Sequence, residues 1–237
     1  MRPYGLLITG TDTGVGKTFV GCGLAAALRR REVRVAPFKP AETGCEVDPE
    51  SAALLPADAR LLRKAAQTGA LLETICPYRF QTPVAPWVAS EMEGIPIDPG
   101  RLQRCYHELA STHDMVLVET AGGILVPLAE KFHYADLARV LDLPVLLVAG
   151  SKLGVINHTL LTLEYLEAAG LPVVACVLNH VQPETDAAIS SNEKALRRLL
   201  WKPLHVIPYC KDAAAAWESR PFAELAEQLL EAAKEAS

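Results

Sequence analysis

The sequence has no cysteine or histidine pattern that would build a disulfide framework or a zinc centre. Its six cysteines form no CxxC pair, and its six histidines show no HxxH or HExxH spacing. Several cysteines lie inside apolar runs, as Cys176 does, and scattered thiols of this kind are typical of a reducing compartment. These absences argue against a zinc protein and against a secreted disulfide scaffold.

Long hydrophobic runs and an excess of basic residues are also absent. No apolar stretch approaches the roughly 20 residues that a membrane span requires. The first predicted strand starts at Tyr4 and leaves no room for a signal peptide, so we expect a cytoplasmic location. The formal net charge of −5 gives no electrostatic reason to expect a nucleic acid or an anionic membrane as partner.

What the sequence does have is a hydrophobic content that supports a large core, with 50% of its 237 residues hydrophobic and 22% charged. Short β-branched runs alternate with longer amphipathic segments. The predicted strands are Tyr4–Thr9, Val33–Phe38, Met115–Val118, Val145–Ala149, Val173–Leu178 and His205–Pro208. The predicted helices are Lys17–Arg31, Asp58–Ala66, Gly100–Ser111, Tyr134–Leu141, Asn157–Ala169, Thr185–Leu200 and Pro221–Ala236.

The predicted strands are apolar almost throughout, as expected when helices cover both faces of a sheet. We therefore predict an α/β fold with a mostly parallel central sheet, helices on both faces, and a single domain over residues 1–237. The proline-rich segment Cys76–Ile97 is the least regular part, and we expect it to be an ordered excursion over the sheet edge.

A glycine-containing turn between the first strand and the first helix has the sequence of a phosphate-binding loop. It runs from Gly10 to Thr18 and ends in Gly16-Lys17-Thr18. Backbone N–H groups of such a turn cradle phosphate oxygens, Lys17 bridges the β- and γ-phosphates, and the Thr18 hydroxyl binds Mg²⁺. The strict pattern has its first glycine where this chain has Thr11. The strand, turn and helix nevertheless predict a P-loop NTPase-like fold.

Three further charged residues stand where they can serve this loop. Glu119 follows the apolar run Met115–Val118, and a carboxylate at the carboxyl end of a parallel strand points into the ligand crevice. Lys39 follows the second strand and can neutralise charge during phosphoryl transfer, although a surface lysine would have the same pattern. Asp58 begins a predicted helix, and its spacing alone favours a helix cap.

Several short segments, in a fixed order along the chain, match the sequence motifs of one enzyme family. They are Gly10–Thr18, Lys39-Pro40, Thr43-Gly44, Asp58, Pro77–Phe80, Pro83, Pro86, Glu93–Ile97, Glu119, Ala121–Gly123, Lys152–His158 and Asn179. In these segments the chain resembles dethiobiotin synthetase, the ATP-dependent carboxylase of biotin synthesis. The first loop and Lys152–His158 are the most specific parts of the match, and the C-terminal residues match poorly.

The resemblance implies a ligase that forms C–N bonds and uses ATP and Mg²⁺. One amine of 7,8-diaminononanoate captures CO₂ as a carbamate, which attacks the γ-phosphate of ATP to give a carbamic–phosphoric anhydride. The second amine then closes the ureido ring, so the products are dethiobiotin, ADP and phosphate. A homodimer is implied as well, because in the family one substrate contact crosses a dimer interface.

The resemblance also implies roles for individual residues. Lys39 and Lys17 would be catalytic, and Thr18, Asp58 and Glu119 would bind Mg²⁺. The residues that would bind ATP are Thr13, Gly14, Val15, Gly16, Lys17, Thr18, Phe19, Asp58, Glu119, Thr120, Ala121, Gly122, Asn179, His180, Pro208, Tyr209 and Cys210. The residues that would bind the diamine are Thr43, Gly123, Val155, Asn157 and Asn192. Asn179 would read the adenine edge, and Asn157 would begin a helix whose N-terminus receives the substrate carboxylate.

Two positions depart from the family pattern. Thr120 stands where many members have glycine, and a β-branched residue there restricts the backbone beside Glu119. Some members bind the substrate carboxylate through a tyrosine in the helix near Ser190–Glu193, where we expect Asn192 to substitute for it.

Other classes of protein share parts of this pattern. Partition and septum-positioning ATPases, which are switch proteins, usually carry an early second lysine in the loop, where this chain has Asp12. They also favour a basic surface or a terminal amphipathic helix for docking, which we do not predict here. Glutamine-dependent cobyrinate amidases need a glutaminase domain with a nucleophilic cysteine, for which the chain has no room. A binding-only protein with a degenerate loop is the remaining alternative.

Overall fold

The strands and helices follow one another in the alternation that the sequence predicts. The computed structural model of the chain describes residues 4–183, 186–212 and 216–235. In these residues the strands are β1 (Tyr4–Gly10), β2 (Val35–Phe38), β3 (Ala41–Thr43), β4 (Glu46–Val47), β5 (Leu54–Leu55), β6 (Tyr78–Phe80), β7 (Met115–Gly123), β8 (Pro127–Ala129), β9 (Phe132–His133), β10 (Val145–Gly150), β11 (Val173–Asn179) and β12 (Leu204–Ile207). The helices are α1 (Lys17–Arg29), α2 (Ala57–Ala66), α3 (Leu72–Ile75), α4 (Pro86–Met92), α5 (Pro99–Thr112), α6 (Tyr134–Val140), α7 (Val155–Ala168), α8 (Ala187–Leu199) and α9 (Arg220–Glu235).

Six of these strands form one parallel sheet in the order β12-β11-β10-β1-β7-β2. The chain runs from β1 outward to β2, returns to β7, and then crosses to β10 on the other side of β1. The strand order therefore reverses at β1. Parallel α/β sheets bind ligands beyond the carboxyl ends of their strands at such a point. The predicted phosphate loop follows β1 directly and lies there.

The central strand is buried on both faces. Successive side chains of a strand point to opposite sides, so Leu7 packs into one hydrophobic core while Leu6 and Ile8 pack into another. All three side chains are fully buried. This arrangement explains why the strand sequences are apolar without alternation. It confirms the predicted fold class, a mostly parallel sheet with helices on both faces.

Most predicted ends agree with the structure within two residues, and β7 is the exception among the strands. The prediction ends this strand at Val118, whereas the structure continues it through Glu119 to Gly123. Among the helices, α1 ends at Arg29 rather than Arg31. The predicted helix positions Thr185 and Ala236 lie outside the described residues. The remaining differences follow from caps and bends that apolar periodicity does not reveal.

The irregular segment predicted over Cys76–Ile97 contains two short elements, β6 and α4. Strand β6 pairs in parallel with β3, with Glu42 opposite Arg79. Both strands have three residues, too few to give a periodic pattern in the sequence. Their pairing ties the chain after β2 to this segment and brings residues 83–86 to the carboxyl edge of the sheet, where they line a cleft.

The C-terminal helix α9 is amphipathic, and its apolar face is already covered by the protein. Phe222, Leu225 and Leu229 are fully buried in the core that also contains residues of α1. Its polar face carries glutamates and Lys234. No helix among the described residues is long and apolar enough to cross a membrane.

The contact between α1 and α9 leads to a test of packing. A Cβ on Gly23 would lie 2.4 Å from ring carbons of Phe222, which is fully buried. We predict that overpacking in Gly23→Ala lowers the free energy of unfolding by about 1–3 kcal/mol. The better helix propensity of alanine should offset about 1 kcal/mol of that loss. Urea denaturation measures this change. Gly69→Ala is the matched control, because nothing lies within 4 Å of the added Cβ. Equal stability of the two variants would contradict the packing argument.

Candidate active site

The loop between β1 and α1 has the backbone conformation that a phosphate cradle requires. Gly14 and Gly16 have φ of 74° and 87°, in the left-handed region that residues with a side chain adopt only with strain. Gly16 is also the N-cap of α1 and supplies no side-chain cap, so the first N–H groups of this helix keep their capacity to donate. A Cβ on Gly16 would lie 2.2 Å from Asn179 Nδ2, so there is no room for one.

Lys17 is the first residue of α1, and its side chain reaches back to the loop. Its Nζ donates a hydrogen bond to the backbone oxygen of Asp12 at 3.0 Å, and the residue is 7% exposed. Burial, and after it the positive charge of Lys39, lower the pKa of Lys17 from 10.5 to about 8. An anion bound beside this ammonium would favour its charged form.

Four elements bring four polar side chains together behind the loop. Lys39 follows β2, Asp58 lies in the first turn of α2, Glu119 belongs to β7, and Thr18 belongs to α1. Lys39 Nζ donates to Asp58 Oδ2 at 2.9 Å and to Glu119 Oε1 at 2.5 Å. Thr18 Oγ1 donates to the same glutamate oxygen at 2.8 Å. These four residues form one hydrogen-bonded group, which we call the lysine–carboxylate cluster. Its most distant members in the chain, Thr18 and Glu119, are 101 positions apart.

The charges of this cluster depend on one another. The side chains of Lys39 and Glu119 are 4% and 1% exposed, whereas that of Asp58 is 42% exposed. Burial alone would lower the pKa of Lys39, but the carboxylates of Glu119 and Asp58 outweigh it and raise that pKa. Burial would likewise raise the pKa of Asp58, and Lys39 holds it below its usual value. The ammonium therefore stays charged because both carboxylates surround it.

A fifth ionisable residue, Glu42, was not singled out by sequence reasoning. It lies in β3, is 6% exposed, and lines the cleft beside Lys39. Its two carboxylate oxygens accept hydrogen bonds from the backbone N–H groups of Asp58 and Ala59 at 2.9 and 3.0 Å. Burial raises the pKa of Glu42. One sequence signal could have revealed it: α2 starts after Pro56, which has no capping side chain, so a group elsewhere must supply the cap.

The cleft has a volume of about 590 Å³ and lies above these residues. The predicted site residues that line it are Thr13, Gly14, Gly16, Lys17, Thr18, Lys39, Thr43, Asp58, Glu119, Thr120, Ala121 and Gly122. The phosphate loop and the lysine–carboxylate cluster form its charged side. Residues 83–86 and Val126 form an apolar side, so the cleft suits a ligand with both anionic and aliphatic parts.

The oxygen atoms of the cluster suit a magnesium ion. Glu119 Oε2 is buried without a hydrogen-bond partner, while Asp58 and Thr18 present further oxygens to the same cleft. Among the described residues, no group of three or more His, Cys, Asp or Glu side chains could hold a metal by itself. Mg²⁺ in nucleotide sites takes one or two carboxylates and completes its shell with water and phosphate oxygens, so this donor set fits it.

Thr120, which stands where the family pattern has glycine, lies in the wall of the cleft. It is fully buried, and its Oγ1 donates to the backbone oxygen of Gly122 at 2.6 Å. Gly122 has φ of 79° and Gly123 lies against the P-loop strand, where a Cβ would be 3.2 Å from the oxygen of Gly10. The β-branched side chain therefore fixes the turn after Glu119.

The residues predicted for adenine lie at the carboxyl ends of β11 and β12. Asn179 is 2% exposed, its Nδ2 donates to the backbone oxygen of Val15 at 3.0 Å, and its Oδ1 is buried without a partner. The N–H of His180 donates to the backbone oxygen of Ile207, which ends β12. Pro208, Tyr209 and Cys210 follow directly, and Tyr209 is 42% exposed. Asn179 thus also holds the P-loop, a role that sequence reasoning missed.

Two predicted ATP-binding residues have side chains in or against the core. Val15 is 2% exposed, and the ring of the half-buried Phe19 packs edge-on against Phe222 with 5.8 Å between centroids. Any contact of Val15 with a nucleotide is therefore through its backbone.

Of the residues predicted to bind the diamine, only Thr43 lines this cleft, whereas Gly123, Val155, Asn157 and Asn192 do not. The prediction that Asn157 begins a helix is wrong, because α7 begins at Val155 after Gly154, whose φ of 91° sets the start. Asn157 is exposed, and Val155 is buried in the core. Asn192 is 3% exposed, and its Nδ2 donates to Ser151 Oγ and to the backbone oxygen of Lys152, so its amide donor is already engaged.

Asp12 links the phosphate loop to the segment that precedes α7. Its carboxylate accepts a hydrogen bond from Lys152 Nζ at 2.8 Å and another from the backbone N–H of Thr13. Both side chains are about half exposed, so the pair is a surface ion pair of modest strength. A second lysine besides Lys17 therefore lies at the phosphate loop, and it comes from a different part of the chain.

A phosphate loop at the reversal point of a parallel sheet, backed by a threonine and a buried carboxylate, defines the class of P-loop nucleotide-binding proteins. Residues 4–214 match the family described as AAA domain. The ATP-dependent dethiobiotin synthetase of Anaeromyxobacter dehalogenans strain 2CP-1 is 44% identical over 211 residues, 89% of this chain and 92% of that protein. The enzyme of the same name from Aromatoleum aromaticum is 40% identical over 216 residues, 91% and 95% of the two chains. The chain belongs to the dethiobiotin synthetase family, as the sequence resemblance predicts.

Solved structures share the fold at much lower identity. A chain of the MinC:MinD cell division protein complex of Aquifex aeolicus matches with a TM-score of 0.60 over 96% of each chain, at 16% sequence identity. This likeness confirms the P-loop NTPase-like fold and extends no further than the fold.

The shared ammonium of Lys39 leads to a test of stability in the protein without ligands. Lys39→Met would leave two carboxylates facing each other, one of them almost fully buried. We predict that this variant loses about 3–5 kcal/mol of unfolding free energy at neutral pH, the usual effect of breaking a buried pair. Urea denaturation measures the loss.

Arg34→Met is the control, because Arg34 pairs with Asp114 in solvent, with side chains 67% and 45% exposed. Removal of that pair should change the unfolding free energy by about 0–1 kcal/mol. Losses of similar size in both variants would show that the lysine–carboxylate cluster is not specially important for stability.

Proposed function

We propose that this chain is an ATP- and Mg²⁺-dependent dethiobiotin synthetase that carboxylates and cyclises 7,8-diaminononanoate with CO₂. The observation that carries the proposal is the convergence of Lys17 and Lys39 on one cleft, in a chain that matches dethiobiotin synthetases over almost its whole length. We take residues 1–237 as one domain that performs this single reaction.

The reaction passes through a series of anions, and each bond change balances. One amine adds to CO₂ and loses a proton, which leaves a carbamate. A carbamate oxygen attacks the γ-phosphorus of ATP, the bond from phosphorus to the β-phosphate oxygen breaks, and ADP leaves. The second amine then attacks the carbamoyl carbon, its bond to the phosphate oxygen breaks, and phosphate leaves with the ring closed. A strong general base is not required, but positive charge and N–H donors are.

We assign the two lysines to these anions. Lys17 and the N–H groups at the start of α1 hold the phosphates, and a bound phosphate would offset the burial and the Lys39 charge that lower the pKa of Lys17. Lys39, which two carboxylates keep charged, neutralises charge on the phosphoryl and carbamate oxygens. Thr18, Asp58 and Glu119 would hold Mg²⁺, which supplies positive charge to the phosphate oxygens when bound.

We assign the two ends of the ligand site by their chemistry. Asn179, His180 and Pro208–Cys210 form the adenine end, where the unpaired Asn179 Oδ1 is suited to accept from an exocyclic amine. Thr43 and Gly123 contact the diamine near the cluster. The apolar residues 83–86 suit the aliphatic chain of the substrate.

We propose a homodimer, in which a second copy supplies the contacts that this chain's own cleft lacks. The support is the position of Asn157, which is exposed and does not line this cleft, together with the exposed Leu153 and Leu161 on the same segment. We also propose a cytoplasmic location, since all six cysteines are free thiols.

The proposed function is tested by the dependence of phosphate release on each substrate. We predict that the protein releases phosphate from ATP at an appreciable rate only when Mg²⁺, CO₂ or bicarbonate, and 7,8-diaminononanoate are all present. A coupled phosphate assay with single omissions measures this, and mass spectrometry identifies the ureido product. DNA fragments and anionic lipid vesicles are added as separate controls. Phosphate release that ignores the diamine, or that DNA or lipid stimulates, would contradict the proposal and favour a switch ATPase.

The lowered pKa of Lys17 predicts a pH dependence of nucleotide binding. The charged lysine binds phosphate, and in the free protein it loses its proton as the pH rises through about 8. Without metal, we predict that the affinity for ATP falls by up to about tenfold per pH unit above that value, because binding must then include uptake of a proton. Calorimetric titrations across this range measure the affinity. Lys17→Gln should bind more weakly and without this dependence. A flat profile for the unmodified chain would remove Lys17 from phosphate binding.

A further inference from the structure

The start of α2 is held by a side chain from outside the helix. The helix begins after Pro56, which has no capping group, so its first N–H groups have no partner within their own segment. Glu42 supplies both partners, with Oε1 on the N–H of Asp58 and Oε2 on the N–H of Ala59. A serine or asparagine at position 56 would cap the helix without burying a carboxylate. The use of a distant, buried glutamate therefore needs a reason beyond helix capping.

The residue that Glu42 holds is the one whose carboxylate faces the cleft. Asp58 gives its backbone N–H to Glu42, and its Oδ2 accepts from Lys39 Nζ at 2.9 Å. The same ammonium reaches Glu119, which accepts from Thr18. A continuous line of direct contacts thus runs from β3 through α2 to the first turn of α1.

The two-stranded sheet of β3 and β6 holds Glu42 in place at the other end of these contacts. Glu42 is the middle residue of β3, which pairs with β6 on one side, opposite Arg79. The backbone oxygen of Glu42 also accepts from Cys45 Sγ at 3.6 Å. By contrast, the segment that leads into α2 is the short β4–β5 hairpin, whose residues are exposed or half-exposed. The position of Asp58 is therefore set by its contact with Glu42 and not by the β4–β5 hairpin that precedes α2.

We infer that Glu42 is a positioning residue that sets how far the Asp58 carboxylate extends into the cleft. Asp58 can thereby join Glu119 and Thr18 as oxygen donors to the nucleotide-bound cation. This inference rests on the proposed function, because it takes Asp58, Glu119 and Thr18 as the donors. Glu42 touches neither substrate nor metal in this role. It acts through the backbone of Asp58, as groups behind metal ligands commonly do.

The test separates cation-dependent binding from helix stability. A non-hydrolysable ATP analogue is titrated into the chain by calorimetry, once with Mg²⁺ and once with a chelator, and the ratio of the two affinities is the magnesium gain. Glu42→Gln replaces one acceptor oxygen with a donor, and Glu42→Asp keeps the charge but shortens the reach. We predict that both variants lose about tenfold or more of the magnesium gain and a comparable factor in kcat. The affinity without metal should stay within about threefold, since the contacts of Lys17 and the loop are unchanged, so the loss falls on the affinity measured with Mg²⁺.

Asp98→Asn is the matched control. Asp98 likewise caps a helix with both carboxylate oxygens, accepting from the N–H groups of Gly100 and Arg101 in α5 at 2.8 and 3.1 Å, but it is the N-cap of its own helix and does not line the cleft. This variant should lower the thermal midpoint and leave the magnesium gain and kcat unchanged. If the Glu42 variants also lose only thermal stability, or if neither folds by circular dichroism, Glu42 has a structural role alone and the inference is wrong.

The design distinguishes this failure from that of the proposed function. The magnesium gain is measured without diamine or CO₂, so it does not depend on the reaction. An unmodified chain that shows the gain but releases phosphate without diamine would overturn the proposed function and leave the positioning role in place. An unmodified chain without any magnesium gain would overturn the donor assignment and the inference together.

Discussion

The ammonium of Lys39 lies between two carboxylates that come from different layers of the protein, and the cleft is organised around that contact. Glu119 belongs to the sheet and Asp58 to a helix, and the lysine between them follows the neighbouring strand β2. The buried charges of Lys39 and Glu119 would each be unfavourable without a partner, since desolvation of an isolated charge costs far more than a surface pair returns. Their mutual attraction therefore fixes α2 against the carboxyl edge of the sheet.

The topology of the sheet makes this meeting possible. Strands β1, β2 and β7 are adjacent and parallel, so their carboxyl ends deliver the phosphate loop, Lys39 and Glu119 to the same edge. The fold is shared with a chain of a cell division protein complex at 16% identity. A fold does not by itself determine a reaction, which depends on the side chains of the site. At this edge the structure places Asp12 paired with Lys152, and the lysine–carboxylate cluster behind the loop.

Much of this arrangement could be predicted from the sequence, and the limits have physical causes. Buried parallel strands are apolar throughout, so the strands of the main sheet and their class were recognisable from local composition. Lys39 and Asp58 were ambiguous as isolated residues, because a surface lysine and a helix cap have the same local pattern. Only the family resemblance grouped them, and their contact depends on residues that are far apart in the chain.

Other features were not recognised from the sequence. Strands β3 and β6 are too short for periodicity, and the role of Glu42 depends on their pairing with each other and with the start of α2. The start of α7 at Val155 depends on the left-handed Gly154, whereas the prediction began the helix at the polar residue Asn157. Asn179 was assigned to the base, but its contact with Val15 is a tertiary hydrogen bond that no local pattern encodes.

We propose that the two lysines stabilise a phosphorylated carbamate, and the fate of one oxygen atom shows whether this intermediate forms. In a single turnover started with ¹⁸O-labelled CO₂, ATP and 7,8-diaminononanoate, the carbamate oxygen that attacks the γ-phosphorus remains on the phosphate when the ring closes. Mass spectrometry of the released phosphate should therefore find one labelled oxygen from CO₂. Phosphate that carries an oxygen from solvent water and none from CO₂ would show that water is the phosphoryl acceptor and that no phosphorylated carbamate forms.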